Sequence, residues 1–225
     1  MNAADVNLFP LMLSLKVALC ATLLSIAIGI PVAWFLSRSG GKRADLADSL
    51  LTLPIVLPPT VLGYYLLILL GRQSFIGRFL EETFNIMIVF TPTGAVIASL
   101  IVSIPFMIKT ARTAFASVDQ DLIHAARLLG RTDFNIFFSV LVPLAWRGIL
   151  SGIVLSFARA LGDFGATLMV AGNIPNKTTT MPIAIYDALL AGNKELADLL
   201  VLIMTTVAFS ILFLLNCLDK KVLRS

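Results

Sequence analysis

Five long stretches nearly free of charge limit what this chain can fold into, because a hydrocarbon core near 30 Å thick is crossed by about 20 apolar residues of helix. Three are uncharged: Leu50 to Leu70, Ile86 to Ile108 and Leu199 to Leu218. A fourth, Leu11 to Leu36, carries only Lys16, close enough to its start for the side chain to reach the interface. It is longer than a signal-peptide core and no basic segment precedes it, so it reads as a retained anchor. The fifth, Leu144 to Gly172, holds Arg147 near its beginning and Arg159 and Asp163 well inside. With 58% hydrophobic and 13% charged residues, the chain has too much apolar surface for a soluble fold to hide. The expectation is an all-α, polytopic membrane protein of five transmembrane helices, forming one domain over residues 1–225.

Five spans place the termini on opposite sides, and the distribution of Lys and Arg orients them. Segments 37–49, 109–143 and 219–225 together hold ten of these residues, and the opposite segments hold four: Arg72, Arg78, Lys177 and Lys194. The ten-residue side is expected to be cytoplasmic, with the N-terminus outside and the C-terminus inside. This topology accounts for the net charge of +4. No basic stripe with interleaved aromatics suggests nucleic acid. Cys20 and Cys217 fall at different depths, too far apart to bridge. With His124 the sole histidine, no metal constellation is expected.

The spans contain breaks. Pro54, Pro58 and Pro59 lie in the second, in Leu53-Pro54-Ile55-Val56-Leu57-Pro58-Pro59, and predict a real interruption facing a pathway. The long segment 109–143 is structured. Asp119 can cap a helix from about Gln120 to Leu129 that ends at Gly130, with Leu122, Ala126 and Leu129 on one face. Thr132 or Asp133 starts a second short helix through Phe134 to Val142, which Pro143 should stop; nine residues cannot span, so this piece should lie along the interface or pack on a neighbour. The outer segment Asn173 to Pro182 reads as a solvated loop, with contact to a binding protein as the alternative.

The pattern His124-Ala125-Ala126-x-x-x-Gly130-x9-Val140-x-Val142-Pro143 resembles the EAA motif of ABC importer permeases over twenty positions, with His124 in place of glutamate and Val142 in place of leucine. A closer resemblance, to molybdate importer permeases, runs over nearly the whole chain. It is carried by Leu13-Ser14-Leu15-Lys16-Val17, Leu53 through Tyr64, Phe157-Ala158-Arg159-Ala160-Leu161-Gly162-Asp163-Phe164-Gly165-Ala166-Thr167 and Asn173-Ile174-Pro175; close relatives carry glutamate where Asp163 stands. The resemblance implies a type I importer permease of the inner membrane of a prokaryote. Its loop 109–143 would form coupling helices that dock into an ATPase, through His124, Ala125, Ala126, Gly130 and Pro143. Tungstate and sulfate permeases are similar enough to stand as alternatives for the oxyanion, and a secondary anion transporter stands as the alternative class, against which the lack of an internal repeat counts.

Arg159 and Asp163 share a helix face and are flanked by Gly162 and Gly165, small enough to admit another backbone. Either they are a self-neutralising packing pair, or they lie with Pro58 and Pro59 beside the substrate pathway. No G-x-x-x-x-G-K-[ST] loop occurs, so the chain is not expected to hydrolyse ATP or hold a cofactor; ATP and Mg would be bound by a partner. Nor does a nucleophile or metal motif mark an intramembrane enzyme. Five spans are few to enclose a gated route, which suggests a homodimer working with two ATPase subunits and an extracytoplasmic oxyanion-binding protein.

Overall fold

A computed structural model describes residues 7–39 and 41–222, with the side chains of 43–45 and 216–222 left undescribed. Cys217, Lys220, Lys221 and Arg224, on which part of the cysteine and orientation argument rests, therefore fall outside the described side chains. Helix α1 (Phe9–Arg38) is followed by α2 (Lys42–Val56), α3 (Pro59–Leu70), α4 (Phe75–Phe84) and α5 (Pro92–Ala116). Next come α6 (Gln120–Leu128), α7 (Asp133–Ile136), a π turn at Phe137–Leu141, and α8 (Val142–Leu161). Last are α9 (Gly165–Ala171), α10 (Met181–Leu190) and α11 (Lys194–Val222). Among the described residues, four helical stretches are long and apolar enough to cross a membrane, and a fifth crossing is made if α2 and α3 count as one bent span.

The core is a three-helix stack. α1 and α5 run parallel: Leu13 and Val17 pack with Ala95 at one end, and Ala33 and Leu36 with Ile108, Ala111 and Phe115 at the other. α8 runs antiparallel to both, since Ala145 and Ile149 join the Phe115 end while Phe157, Ala160 and Leu161 meet Ala18 and Ala21. Small residues set the spacing. A Cβ on Gly148 would sit 2.3 Å from Ala114 Cβ, and one on Gly152 2.3 Å from Thr110 Oγ1, so neither position admits a larger side chain without separating α5 from α8. Within lipid this close packing replaces a hydrophobic driving force that lipid tails cannot supply. α11 lies outside the stack and touches it through Met204, Ala208 and Ile211.

The interruption expected among the prolines of the second span is present: α2 and α3 meet at 112°, because Pro59 lacks the N–H that would continue α2 and the Leu57–Pro58 backbone is extended. Two other expectations about the spans need correction. The fifth begins earlier and ends earlier than Leu144 to Gly172, since Asp133–Leu161 is one apolar stretch that stops before Gly162. Pro143 does not stop the short helix beginning at Thr132. The π turn lies just before the proline, with Val142 N–H donating to Phe137 O, and its wider turn takes up the clash a proline ring makes with the preceding turn of an α-helix. What reads as a nine-residue interfacial piece is the first part of a span.

The segment after Gly172 is a solvated loop only in its first half, where Asn173 and Pro175 to Lys177 are exposed. Thr178, Thr179 and Thr180 are buried; Thr178 Oγ1 accepts from Ile174 N–H at 3.0 Å, and Thr179 Oγ1 donates to Asn173 Oδ1 at 2.7 Å. Ser14 Oγ of α1 accepts from Met181 N–H at 2.7 Å, so the start of α10 is held against the start of α1.

Candidate functional site

Two helix breaks meet inside the fold. One lies between α2 and α3 at Leu57–Pro58, the other between α8 and α9 at Gly162–Phe164. α9 lies along α3 with almost no space between the backbones. A Cβ on Gly165 would sit 3.0 Å from Thr60 Cγ2 and 3.2 Å from Thr60 N, and one on Gly63 would sit 2.7 Å from Met169 Cβ and 3.0 Å from Ala166 Cα. Gly165 thus admits the neighbouring backbone as its size suggests. Gly162 does not: it is exposed, and its nearest obstacle is the Ala158 carbonyl at 3.5 Å.

The break after α8 leaves the first N–H groups of α9 without helical acceptors, and Asp163 supplies one. Its Oδ2 accepts from Thr167 N–H at 3.0 Å and from Thr167 Oγ1–H at 2.7 Å, while Oδ1 faces Arg159 Nη1 at 3.4 Å. The Asp163 side chain is fully buried, and that of Arg159 is 25% exposed. Asp163 is therefore consumed by three partners of its own chain, whereas Arg159 keeps a guanidinium edge open. Ser99 Oγ lies 3.3 Å from Thr167 Oγ1 and extends this polar set to α5. Pro58 is exposed and Pro59 half-buried against Gly165, so with Gly162 exposed and Arg159 half-buried each break keeps an accessible part. Thr167 escapes the sequence reading, although its place four residues after Asp163 across a glycine is the signal of a carboxylate reaching into the first turn of a new helix.

The second constellation lies at the Arg38 end. Asp119 caps α6 by accepting from Asp121 N–H at 2.9 Å, and Thr132 caps α7 by accepting from Asn135 N–H at 3.4 Å. Gly130 between them has φ +76°, a conformation that disfavours any side chain. The buried face of α6 is Ile123 and Ala126, not Leu122, Ala126 and Leu129 as the spacing suggests; Leu122 and Leu129 are exposed, because the helix turns after Leu128. Leu128 is 89% exposed and Leu129 81%. His124 and Ala125 share that outward face, Ala126 is turned inward, and Pro143 is the exposed second residue of α8. The residues of the twenty-position pattern are thus divided: His124, Ala125 and Gly130 face out, while Ala126 packs on the stack.

The family described as binding-protein-dependent transport system inner membrane component matches residues 25–224. The putative molybdenum transport system permease protein YvgM of Bacillus subtilis is 42% identical over 92% of this chain and 91% of its own length. The molybdenum transport system permease protein ModB of Escherichia coli K12 is 45% identical over 82% of this chain and 80% of its own. Among solved structures, the inward-facing MetNI methionine ABC transporter superposes with a TM-score of 0.72 at 17% identity, covering 95% of this chain and 94% of that one. A bacterial ABC transporter that imports alginate also gives 0.72, at 14% identity, over 93% of this chain and 79% of that one. At these identities the two structures establish a shared fold.

Proposed function

The chain belongs to the family of binding-protein-dependent transport system inner membrane components, and from that premise we propose that it is the permease subunit of an importer that carries molybdate across the inner membrane. The energy comes from ATP hydrolysed in a separate subunit; as a permease of this family the chain is not itself the ATPase. The observation that carries the substrate is the near full-length similarity to molybdenum permeases of two distant bacteria. Tungstate and sulfate are the alternatives that share its chemistry.

The working unit is a homodimer with two ATPase subunits and an extracytoplasmic binding protein. The N-terminus lies outside and the C-terminus inside, which puts α6 in the cytoplasm. There the exposed pair Leu128 and Leu129 supports a docking role, since two large apolar side chains in water are costly unless a partner covers them. His124, Ala125 and the exposed Pro143 complete the docking face, Gly130 sets its angle, and Ala126 ties it to the stack. ATP and Mg are held by the partner, and this chain holds no cofactor. The two helix breaks border the substrate route, with Pro58, Pro59, Gly162 and Gly165 at its wall. Arg159 offers a half-open cation that a divalent oxyanion can pass without lodging, because Asp163 offsets its charge.

The experiment is to co-purify the chain with candidate ATPase subunits, reconstitute the complex, and measure ATP hydrolysis when the binding protein presents molybdate, tungstate or sulfate. Stimulation by molybdate at the lowest concentration is expected. Stimulation by sulfate alone would transfer the assignment to sulfate, and uptake independent of ATP would overturn the importer reading.

A further inference from the structure

Asp133 is the first residue of the Asp133–Leu161 stretch, and it touches two other elements at once. Its Oδ2 accepts from Arg38 Nη2, on the last residue of α1, at 2.5 Å; its Oδ1 faces Arg127 Nη2, in the last turn of α6, at 3.2 Å. Arg38 also lies over the Trp34 ring, 5.3 Å from its centroid, and Trp34 packs on Phe137 of the π turn at 4.6 Å. One carboxylate therefore joins the end of α1, the end of α6 and the start of a span.

The joint is not packed solid. Under it lies a cavity of about 440 Å³ lined by Trp34, Arg38, Phe115, Gln120, Arg127 and Ile136 among others. Trp34, which lines it, has its Nε1 buried with no hydrogen-bond partner among the described residues. All three charged side chains are 40% to 47% exposed, so the pairs add little to stability as isolated ion pairs. An apolar contact in their place would hold the fold as well. Half-exposed charged groups spanning three elements beside an open pocket are instead suited to changing partners as the elements shift.

We propose that Asp133 is the positioning residue through which movement of α6 reaches α1 and α8 together. The proposal rests on α6 being the ATPase-docking helix. When the ATPase draws α6 sideways, Arg127 pulls on Asp133, which turns the first residue of α7 and drags Arg38 with it. The two links act in series, so breaking either one interrupts the path, and breaking both does no further harm. Spatial intermediacy alone does not establish such a path; the coupling between its members does.

The test uses the complex with its ATPase in proteoliposomes, and reads molybdate taken up per ATP hydrolysed together with the amount of ATPase bound. Asp133→Asn, Arg38→Ala and Arg127→Ala are each expected to lower uptake per ATP by about threefold or more, on the scale of a half-exposed charge contact, with ATPase binding unchanged. The Arg38→Ala, Arg127→Ala double variant is expected to fall no further than the lower of its two singles. An unchanged ratio in Arg127→Ala, an exposed residue whose loss the fold tolerates, overturns the proposal even if Asp133→Asn proves poorly expressed. Losses that multiply in the double variant also overturn it, since independent structural contributions would do that. If Leu128→Ser leaves ATPase binding intact, the docking reading itself fails; if Leu128→Ser weakens binding while the Asp133 ratio stays normal, only the relay fails.

Discussion

The Asp163 and Asp133 carboxylates each hold arginine, and almost nothing else about them is alike. Asp163 sits inside the fold with its side chain fully buried, and every contact is local: Arg159 and Thr167 are both four residues away. Asp133 is 47% exposed, and one of its partners, Arg38, lies 95 residues distant. Around Asp163 the backbones of α3 and α9 nearly touch, while beneath Asp133 there is a cavity of about 440 Å³. The contrast separates two tasks. A dry, saturated and local carboxylate fixes the shape of a break in a membrane helix, and a wet, long-range one beside an open pocket ties together separate elements.

The largest effect expected of this contrast is on stability. Asp163→Ala removes the acceptor of two Thr167 hydrogen bonds and leaves Arg159 without its partner, a loss on the order of 3–5 kcal/mol if the pair behaves as a buried one. The amount of folded, detergent-extracted protein is expected to collapse, whereas Asp133→Asn is expected to leave it near normal; equal yields would erase the distinction. Pairing Arg159→Met with Asp163→Leu sharpens it. That double variant removes the ion pair but still strands Thr167 N–H, so recovery of yield is expected to be partial, and Arg159→Met with Asp163→Asn should recover more. Full recovery with leucine would show that the cap contributes nothing.

A smaller effect is expected at the backbone contact beside Asp163. Gly165→Val would press on Thr60 N and Pro59 Cβ, at a cost of about 1–3 kcal/mol for overpacking, read as a lowered melting temperature of the purified chain. Gly130→Val adds no clash, since nothing lies within 4 Å, and its cost is that of a positive φ, about 1–2 kcal/mol confined to the α6–α7 turn. Insertion and yield should be normal while ATPase binding falls; normal uptake at equal abundance would contradict the docking assignment. The smallest change in stability is expected of Leu128→Ser, within about 0.5 kcal/mol as for a surface site, yet ATPase co-purification should drop clearly. A stability loss there would mean that Leu128 packs on this chain.

The sequence reading succeeded where the signal was local or repeated. The apolar runs, the caps at Asp119 and Thr132 and the glycine turn at Gly130 each follow from a few neighbouring residues, and each stands in the structure. Pro143 misled because a proline reads as a stop unless the turn before it is widened, and no local residue announces the π turn at Phe137–Leu141. The buried threonines 178–180 misled for the opposite reason: their polarity suits water, and only contacts with residues 172–174 satisfy the hydroxyls of Thr178 and Thr179, while Thr180 Oγ1 is buried without a partner among the described residues. The Arg38–Asp133–Arg127 joint had no signal, since Arg38 lies 95 positions from Asp133, the two arginines read as charges of a cytoplasmic face and Asp133 reads only as a helix start.

The parallel course of α1 and α5 has a consequence during synthesis. Helices that cross in the same direction cannot be consecutive crossings, so the partner of α1 emerges only after residues 39–91 have been made. At about 5–20 residues per second that is a wait of roughly 3–10 s. Throughout it, the stripe of Ser14, Thr22 and Ser25, buried in the finished fold, has neither α5 nor α8 to cover it. Thr22 can satisfy its hydroxyl within its own helix, as it does on the Ala18 carbonyl in the finished fold, while Ser25 Oγ has no hydrogen-bond partner among the described residues. A newborn α1 is thus a helix with a polar seam whose partners in the finished fold, α5 and α8, are made only later.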